Sequence, residues 1–234
     1  MRIGIRRGIL IKALGEAEID KLFRDSVLEG FRKKYIELKE KPPGLMDRIF
    51  KWRDTIQLID SSYIYMARGD KRGAGRALGE AIYILFDHVF SKHRDIAYPG
   101  SRLDDVVEGL KPKYSYERHL MPLRIIKLFK GIRSRNYRDL FNELSSLALY
   151  MVESVYLKPE TDKILENYRR ARRLHLYLFI PLGIFISVYL LIIAILLDSP
   201  LLAFIAPFIA LFTIKLDSNY YNWKRMAELV EGRG

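Results

Sequence analysis

The chain has no cysteine. That excludes disulfides, thiol catalysis and cysteine-based metal sites. Histidine is scarce: His88, His93, His119 and His175 are the full set. His88 and His93 stand five positions apart, and two ligands on one helical face need a spacing of three or four. No metal site and no cofactor is therefore expected. The His-Glu-x-x-His, Gly-x-Ser-x-Gly, P-loop and dinucleotide-binding patterns are all missing, so no enzyme is expected either. Met1 to Leu14 is basic but lacks the apolar core of a cleavable signal peptide. Acidic residues are also in short supply, 28 Asp and Glu against 40 Lys and Arg, for a net charge of +12. That surplus suits an anionic partner. A bilayer leaflet attracts each well-placed Lys or Arg by about 1 kcal/mol; RNA is the less favoured choice. Abundant Arg, Lys, Glu, Ile and Tyr without cysteine give a thermophile-like composition.

Charge is missing altogether from Leu174 to Leu197. This run matches the roughly 20 apolar residues that cross a bilayer as a helix. Its Leu, Ile, Val and Phe side chains gain about 5 to 9 kcal/mol on insertion. His175 stands at the interface, and Pro181 falls in the early turns, where a missing N–H matters little. Asp198-Ser199-Pro200 makes a turn. Leu201 to Ile214 is a second apolar run, rising only about 21 Å against a hydrocarbon core of roughly 30 Å, with Pro207 weakening its middle. Lys215 can snorkel and let Leu216 join; a re-entrant or interfacial segment is the alternative. Gly183 and Ser187, and Ala206 and Ala210, are small pairs able to pack the two runs together or support a homo-oligomer. Arg169, Arg170, Arg172, Arg173 and Lys215 flank the runs, and Asp198 lies between them. Basic flanks stay inside, so a two-span cell-membrane protein with both termini cytoplasmic is expected. Tyr220, Tyr221 and Trp223 fit an interfacial aromatic belt.

The rest reads as helices, giving an all-α cytoplasmic bundle plus a C-terminal transmembrane helical hairpin. Met1 to Leu14 interleaves Ile with Arg and is left open as a short strand, a disordered arm or a membrane-surface segment, since two glycines argue against a firm helix. Glu16–Lys41 is an amphipathic helix with Phe23, Val27, Phe31 and Tyr35 on one face, closed by Lys41-Pro42-Pro43-Gly44. Residues 1–44 thus form an N-terminal arm and helix. A bundle follows over 45–158. Leu45–Arg68 is one helix. Lys71–His93 is a second, with Ala74, Ala77, Leu78, Ala81, Leu85 and Val89 inward and a small-residue first half suited to tight packing. Residues 94–121 are looser, with Leu103–Leu110 a short helix. Pro122–Arg133 is basic and amphipathic, and Asn136–Leu157 is long. A linker helix spans 159–173, the hairpin 174–216 and a tail 217–234.

Few motifs carry chemistry. Gly69–Arg76 is glycine-rich and basic at a helix start, but lacks the strand a phosphate loop needs; a tight turn with close packing explains it. Asp104, Asp105 and Glu108 read as a capped short helix, and Arg118-His119 as a minor phosphate candidate. The strongest binding surface is the basic face of Arg124, Lys127, Lys130, Arg133, Arg135 and Arg138, whose plainer explanation is a solvated or lipid-facing surface.

The helix order from Trp52 to Leu157 resembles that of HEPN domains, a family of compact helical bundles. The likeness lies in Ile56–Arg68, the Gly69-Asp70 turn, the Ala-rich helix Ala74–His88, and Arg135-Asn136-Tyr137 opening a long last helix. The family's ribonucleases carry an Arg, a polar residue and, shortly after, a His. Arg135-Asn136 matches the start, but Leu140, Phe141 and Asn142 occupy the histidine window. The resemblance therefore implies a pairing, binding or regulatory module without the general base. Together these readings lead to a membrane-anchored binding or scaffold protein that presents a basic bundle to an unidentified protein, to anionic lipid or to RNA. A two-span membrane-perturbing or pore-forming effector, similar in topology to those of prokaryotic conflict systems, and a membrane-tethered ribonuclease are the alternatives.

Overall fold

A computed structural model describes residues 3–42, 44–93, 107–112, 122–134, 136–157 and 161–232, with backbone alone for residues 3, 45–50, 122–124 and 161. Every regular element among the described residues is helical. They are α1 (Ile3–Glu16), α2 (Lys21–Glu40), α3 (Leu45–Ala67), α4 (Lys71–Lys92), α5 (Pro122–Gly131) and α6 (Tyr137–Tyr156). Then come α7 (Thr161–Leu174), a π-helical segment His175–Phe179, α8 (Ile180–Leu196), α9 (Pro200–Lys215) and α10 (Ser218–Val230). The chain divides into two compact units: unit 1 is Met1–Pro159 with Leu229–Gly234, and unit 2 is Glu160–Glu228.

Unit 1 is built around α4. Its expected inward residues Ala74, Ala77, Leu78, Ala81, Leu85 and Val89 are all buried. Ile82, Tyr83, Ile84, Phe86 and Phe90 are buried as well, so α4 is covered on nearly every side. Helix α2 lies along its small-residue half. A Cβ at Gly79 would meet the Val27 carbonyl, one at Gly75 the Ser26 side chain, and one at Gly30 the Arg76 carbonyl. Only glycine lets two helix backbones approach this closely. Both helices start on an aspartate. Asp20 accepts from Phe23 N–H at 2.8 Å, and Asp70 accepts from Gly73 N–H at 2.8 Å, satisfying donors that a helix start leaves free. Gly69, at φ 81°, makes the turn between α3 and α4.

One expectation needs correction. Residues 3–16 are neither a strand nor a loose arm; they form α1, which packs on α6. Ile5, Ile9, Leu10, Ala13 and Leu14 are buried along it, and that burial outweighs the weak helix propensity of Gly4 and Gly8. The Lys41–Gly44 segment joins α2 to α3. Both flanking segments belong to unit 1, because Phe23, Val27 and Phe31 of α2 lie in its core. The expected short helix over Leu103–Leu110 falls largely outside the described residues.

Unit 2 begins with a helix running without a break from Asp162 to Leu196, 35 residues, or about 52 Å. It is long and apolar enough to cross a membrane. Asp198, at φ 47°, makes the turn; Asp is among the few side-chain-bearing residues that accept this left-handed conformation. Pro200 then opens α9 in the position proline favours. Helix α9 packs back along α8. Its 16 residues fall short of a span alone, and the chain bends by 57° between α9 and α10. The small residues Gly183, Ala194 and Ala206 are buried in this hairpin, and a Cβ at Gly183 would press on Ile214 and the Ala210 carbonyl.

Candidate functional sites

The clearest polar constellation in unit 2 sits at the base of the hairpin. His175, in the π-helical segment, and Asp217, between α9 and α10, are 6% and 4% exposed. His175 Nδ1 lies 3.0 Å from Asp217 Oδ2. The other carboxylate oxygen, Oδ1, accepts from the Tyr220 N–H at 3.0 Å and caps α10. The imidazole stacks on the Tyr220 ring with centroids 4.1 Å apart and planes 11° apart. Tyr221 meets it edge-on at 5.7 Å, and Phe179 lies parallel at 6.4 Å. Tyr168 stacks behind Tyr220 at 6.2 Å, and burial raises the Tyr220 hydroxyl above its ordinary value. Two ionisable groups buried this deeply would be costly unless paired and hydrogen-bonded.

Sequence reading placed His175 at the interface without a partner and passed over Asp217. A signal was available. In an antiparallel hairpin turning at Asp198, the polar residue opening the first run faces the one closing the second. The π-helical turn, a wider ring common at functional positions, shifts the helix register where His175 sits.

The expected basic face is only partly described. Lys127, Lys130, Arg133 and Arg138 are exposed, on the outside of elements whose inner residues Ile125, Ile126, Phe129, Ile132 and Leu140 are buried. Lys130 Nζ lies 4.1 Å over the Trp52 ring of α3, a cation–π contact. The side chain of Arg124, and all of Arg135, Arg118, His119, Asp104 and Asp105, fall outside the described residues; Glu108 is exposed. The flanking Arg169, Arg170, Arg172, Arg173 and Lys215 are exposed, with Arg170 reaching Glu166 at 2.6 Å. At the start of α4, the cap taken up by Asp70 and the tight seat of Gly75 against α2 occupy the glycine-rich segment. No group of three or more His, Asp or Glu able to hold a metal occurs among the described residues.

Fold and sites together define an all-α chain with one helix apolar and long enough for a membrane span. Comparisons with family models, curated proteins and solved structures find no match to this chain.

Proposed function

We propose that the chain is a membrane-anchored helical binding protein. Its hairpin of α8 and α9 lies in the bilayer, and its basic bundle meets an anionic or protein partner in the cytoplasm. The observation that carries this reading is the outward-turned apolar surface of unit 2. Phe185, Ile195, Leu196, Leu201 and Phe204 are each about two-thirds or more exposed within the folded chain. In water such a surface would be a large contiguous apolar patch of a kind soluble monomers rarely carry. In lipid it is satisfied, and the helical backbone needs no outside partners.

The charge pattern supports the orientation. Exposed Arg169, Arg170, Arg172, Arg173 and Lys215 flank the apolar runs on the side of both termini, and such residues stay cytoplasmic. The buried His175–Asp217 pair then acts as a polar clamp holding the base of the hairpin closed. We read the bundle as a HEPN-like module working by binding. In the window where the family's ribonucleases carry their base, Leu140 and Phe141 are core residues and Asn142 Oδ1 accepts from the Lys111 N–H.

Fractionation tests the proposal. The full chain should stay in the membrane pellet after alkaline carbonate and leave it only with detergent. Recovery of folded chain in the aqueous fraction without detergent would overturn it. A pull-down from detergent extracts, with Lys127 and Arg133 reversed in charge as the control, then asks which partner the basic surface takes.

A further inference from the structure

In unit 1, three lysines from three helices gather about one half-buried histidine. Lys51 comes from α3, Lys92 from α4 and Lys130 from α5. His88 meets Trp52 edge to face, with ring centroids 4.6 Å apart, and Lys130 Nζ lies over the Trp52 ring. Lys92 Nζ donates to the carbonyls of Lys130 at 3.1 Å and Ile132 at 3.2 Å, holding the end of α5 against α4. Asp87 is the neighbouring carboxylate, and it is already shared between Arg6 at 3.0 Å and Lys51 at 3.3 Å.

The cations outweigh the acid. The His88 imidazole is held below its ordinary value, first by burial and then by Lys51, Lys130 and Lys92, with Asp87 opposing. Among the described residues neither ring nitrogen of His88 has a hydrogen-bond partner. Like charges crowded together cost free energy that a bound anion returns. Lysine suits a phosphate as a compact point charge. A half-buried imidazole beside those lysines adds a donor once it is protonated.

We infer that Lys51, Lys130 and His88, beside Trp52, form a binding site for a phosphate group. The group is a free phosphate or the phosphate of a lipid headgroup; both present the same charge and oxygens. The site stands independently of the membrane reading, since every member belongs to unit 1. An anion there raises the His88 titration midpoint, because it favours the charged imidazole.

The experiment uses the full chain in detergent micelles, with Trp223→Phe so that Trp52 alone reports by fluorescence. Inorganic phosphate is titrated at constant ionic strength against chloride. A saturable change in Trp52 emission is expected, together with an upward move of the His88 midpoint in imidazole NMR. Lys51→Gln and Lys130→Gln should each weaken the response roughly tenfold, the loss of one charge-assisted hydrogen bond. Lys130→Arg should retain it, and Lys39→Gln, on an exposed stretch of α2, should leave it unchanged. A response to vesicles of phosphatidylcholine with added phosphatidylinositol phosphate, but not to inorganic phosphate, assigns the source as a lipid headgroup. No saturable response to either probe, an equal response to chloride, or equal binding by the Lys51→Gln chain would overturn the site.

Discussion

Phenylalanine is used in opposite ways by the two units. In unit 1, Phe23, Phe31, Phe86, Phe129 and Phe141 are essentially inaccessible. In unit 2, Phe185, Phe204, Phe208 and Phe212 are between 58% and 68% exposed, while the buried positions between α8 and α9 go to Gly183, Ala194 and Ala206. Unit 1 follows the rule for water, with apolar volume inside and charge outside. Unit 2 inverts it, with small residues where helices touch and large apolar ones outside, as helix pairs in lipid do. The same side chain thus points opposite ways in the two units, and matched substitutions in them should fail in different ways.

The largest contrast comes from truncating one phenylalanine in each. Phe31 packs edge-on against Tyr83 and Phe86, so Phe31→Ala should cost unit 1 about 3 to 5 kcal/mol and leave membrane retention unchanged. Phe204→Ala should move the unfolding of either unit by no more than about 0.5 kcal/mol. Chemical denaturation followed by circular dichroism separates the two, and equal effects would remove the comparison's basis.

Next in size is a charge on the outward face. Ile192 is 52% exposed on α8. Lysine there should cost about 3 kcal/mol at the centre of a span and shift chain from the membrane pellet toward the soluble or aggregated fraction. The melting of unit 1 should not change. An Ile192→Lys chain retained as firmly as the parent would place that face away from lipid.

The His175–Asp217 pair is a sharper probe, because it is the polar exception within unit 2. Asp217→Ala removes the partner of a buried imidazole and the cap of α10 together, and should cost about 1 to 3 kcal/mol. Asp217→Asn keeps the cap of α10 through its amide oxygen and should cost less. Amide exchange at Tyr220 and Tyr221 is the readout. Equal protection in Asp217→Ala and parent chains would show that the pair does not hold the hairpin base.

What could be read from sequence follows the same division. The α4 pattern was legible because Ala74, Ala77, Leu78 and Ala81 repeat at helical spacing, and the small residues announced a close neighbour, though not that α2 would be it. The apolar hairpin was legible because charge is absent from Leu174–Leu197. Helix α1 was not, since its stripe of Ile5, Ile9 and Ala13 is interrupted by glycines and gains stability from packing on α6 and α2. The His175–Asp217 bond was not, because its ends lie 42 positions apart and a turn and a π-helical register shift decide their meeting. The cluster about His88 was hidden for a similar reason. Lys51, Lys92 and Lys130 are ordinary surface lysines until three helices bring them together.

The smallest effect belongs to Asp20, a charged residue on the water-facing side of unit 1. Its carboxyl is held below the usual carboxylate range, first by a hydrogen bond from Lys71, then by the Phe23 N–H, with the Tyr156 hydroxyl adding to both. A carboxyl depressed in the folded state contributes stability that is fully present above its unfolded value, near about 3.9. That contribution is lost as pH falls through the lower folded value. Solvent screens the partly exposed Lys71 pair, so the ion pair itself should be worth under about 1 kcal/mol. Asp20→Ala should cost about 1 kcal/mol at neutral pH through the lost helix cap. Asp20→Asn keeps a capping oxygen, so it should cost less at neutral pH and flatten the acid limb of the stability curve below about pH 4. Denaturation midpoints across that range decide it. An acid limb as steep in Asp20→Asn as in the parent would mean the carboxylate's charge does no work there and that Asp20 acts through its cap alone.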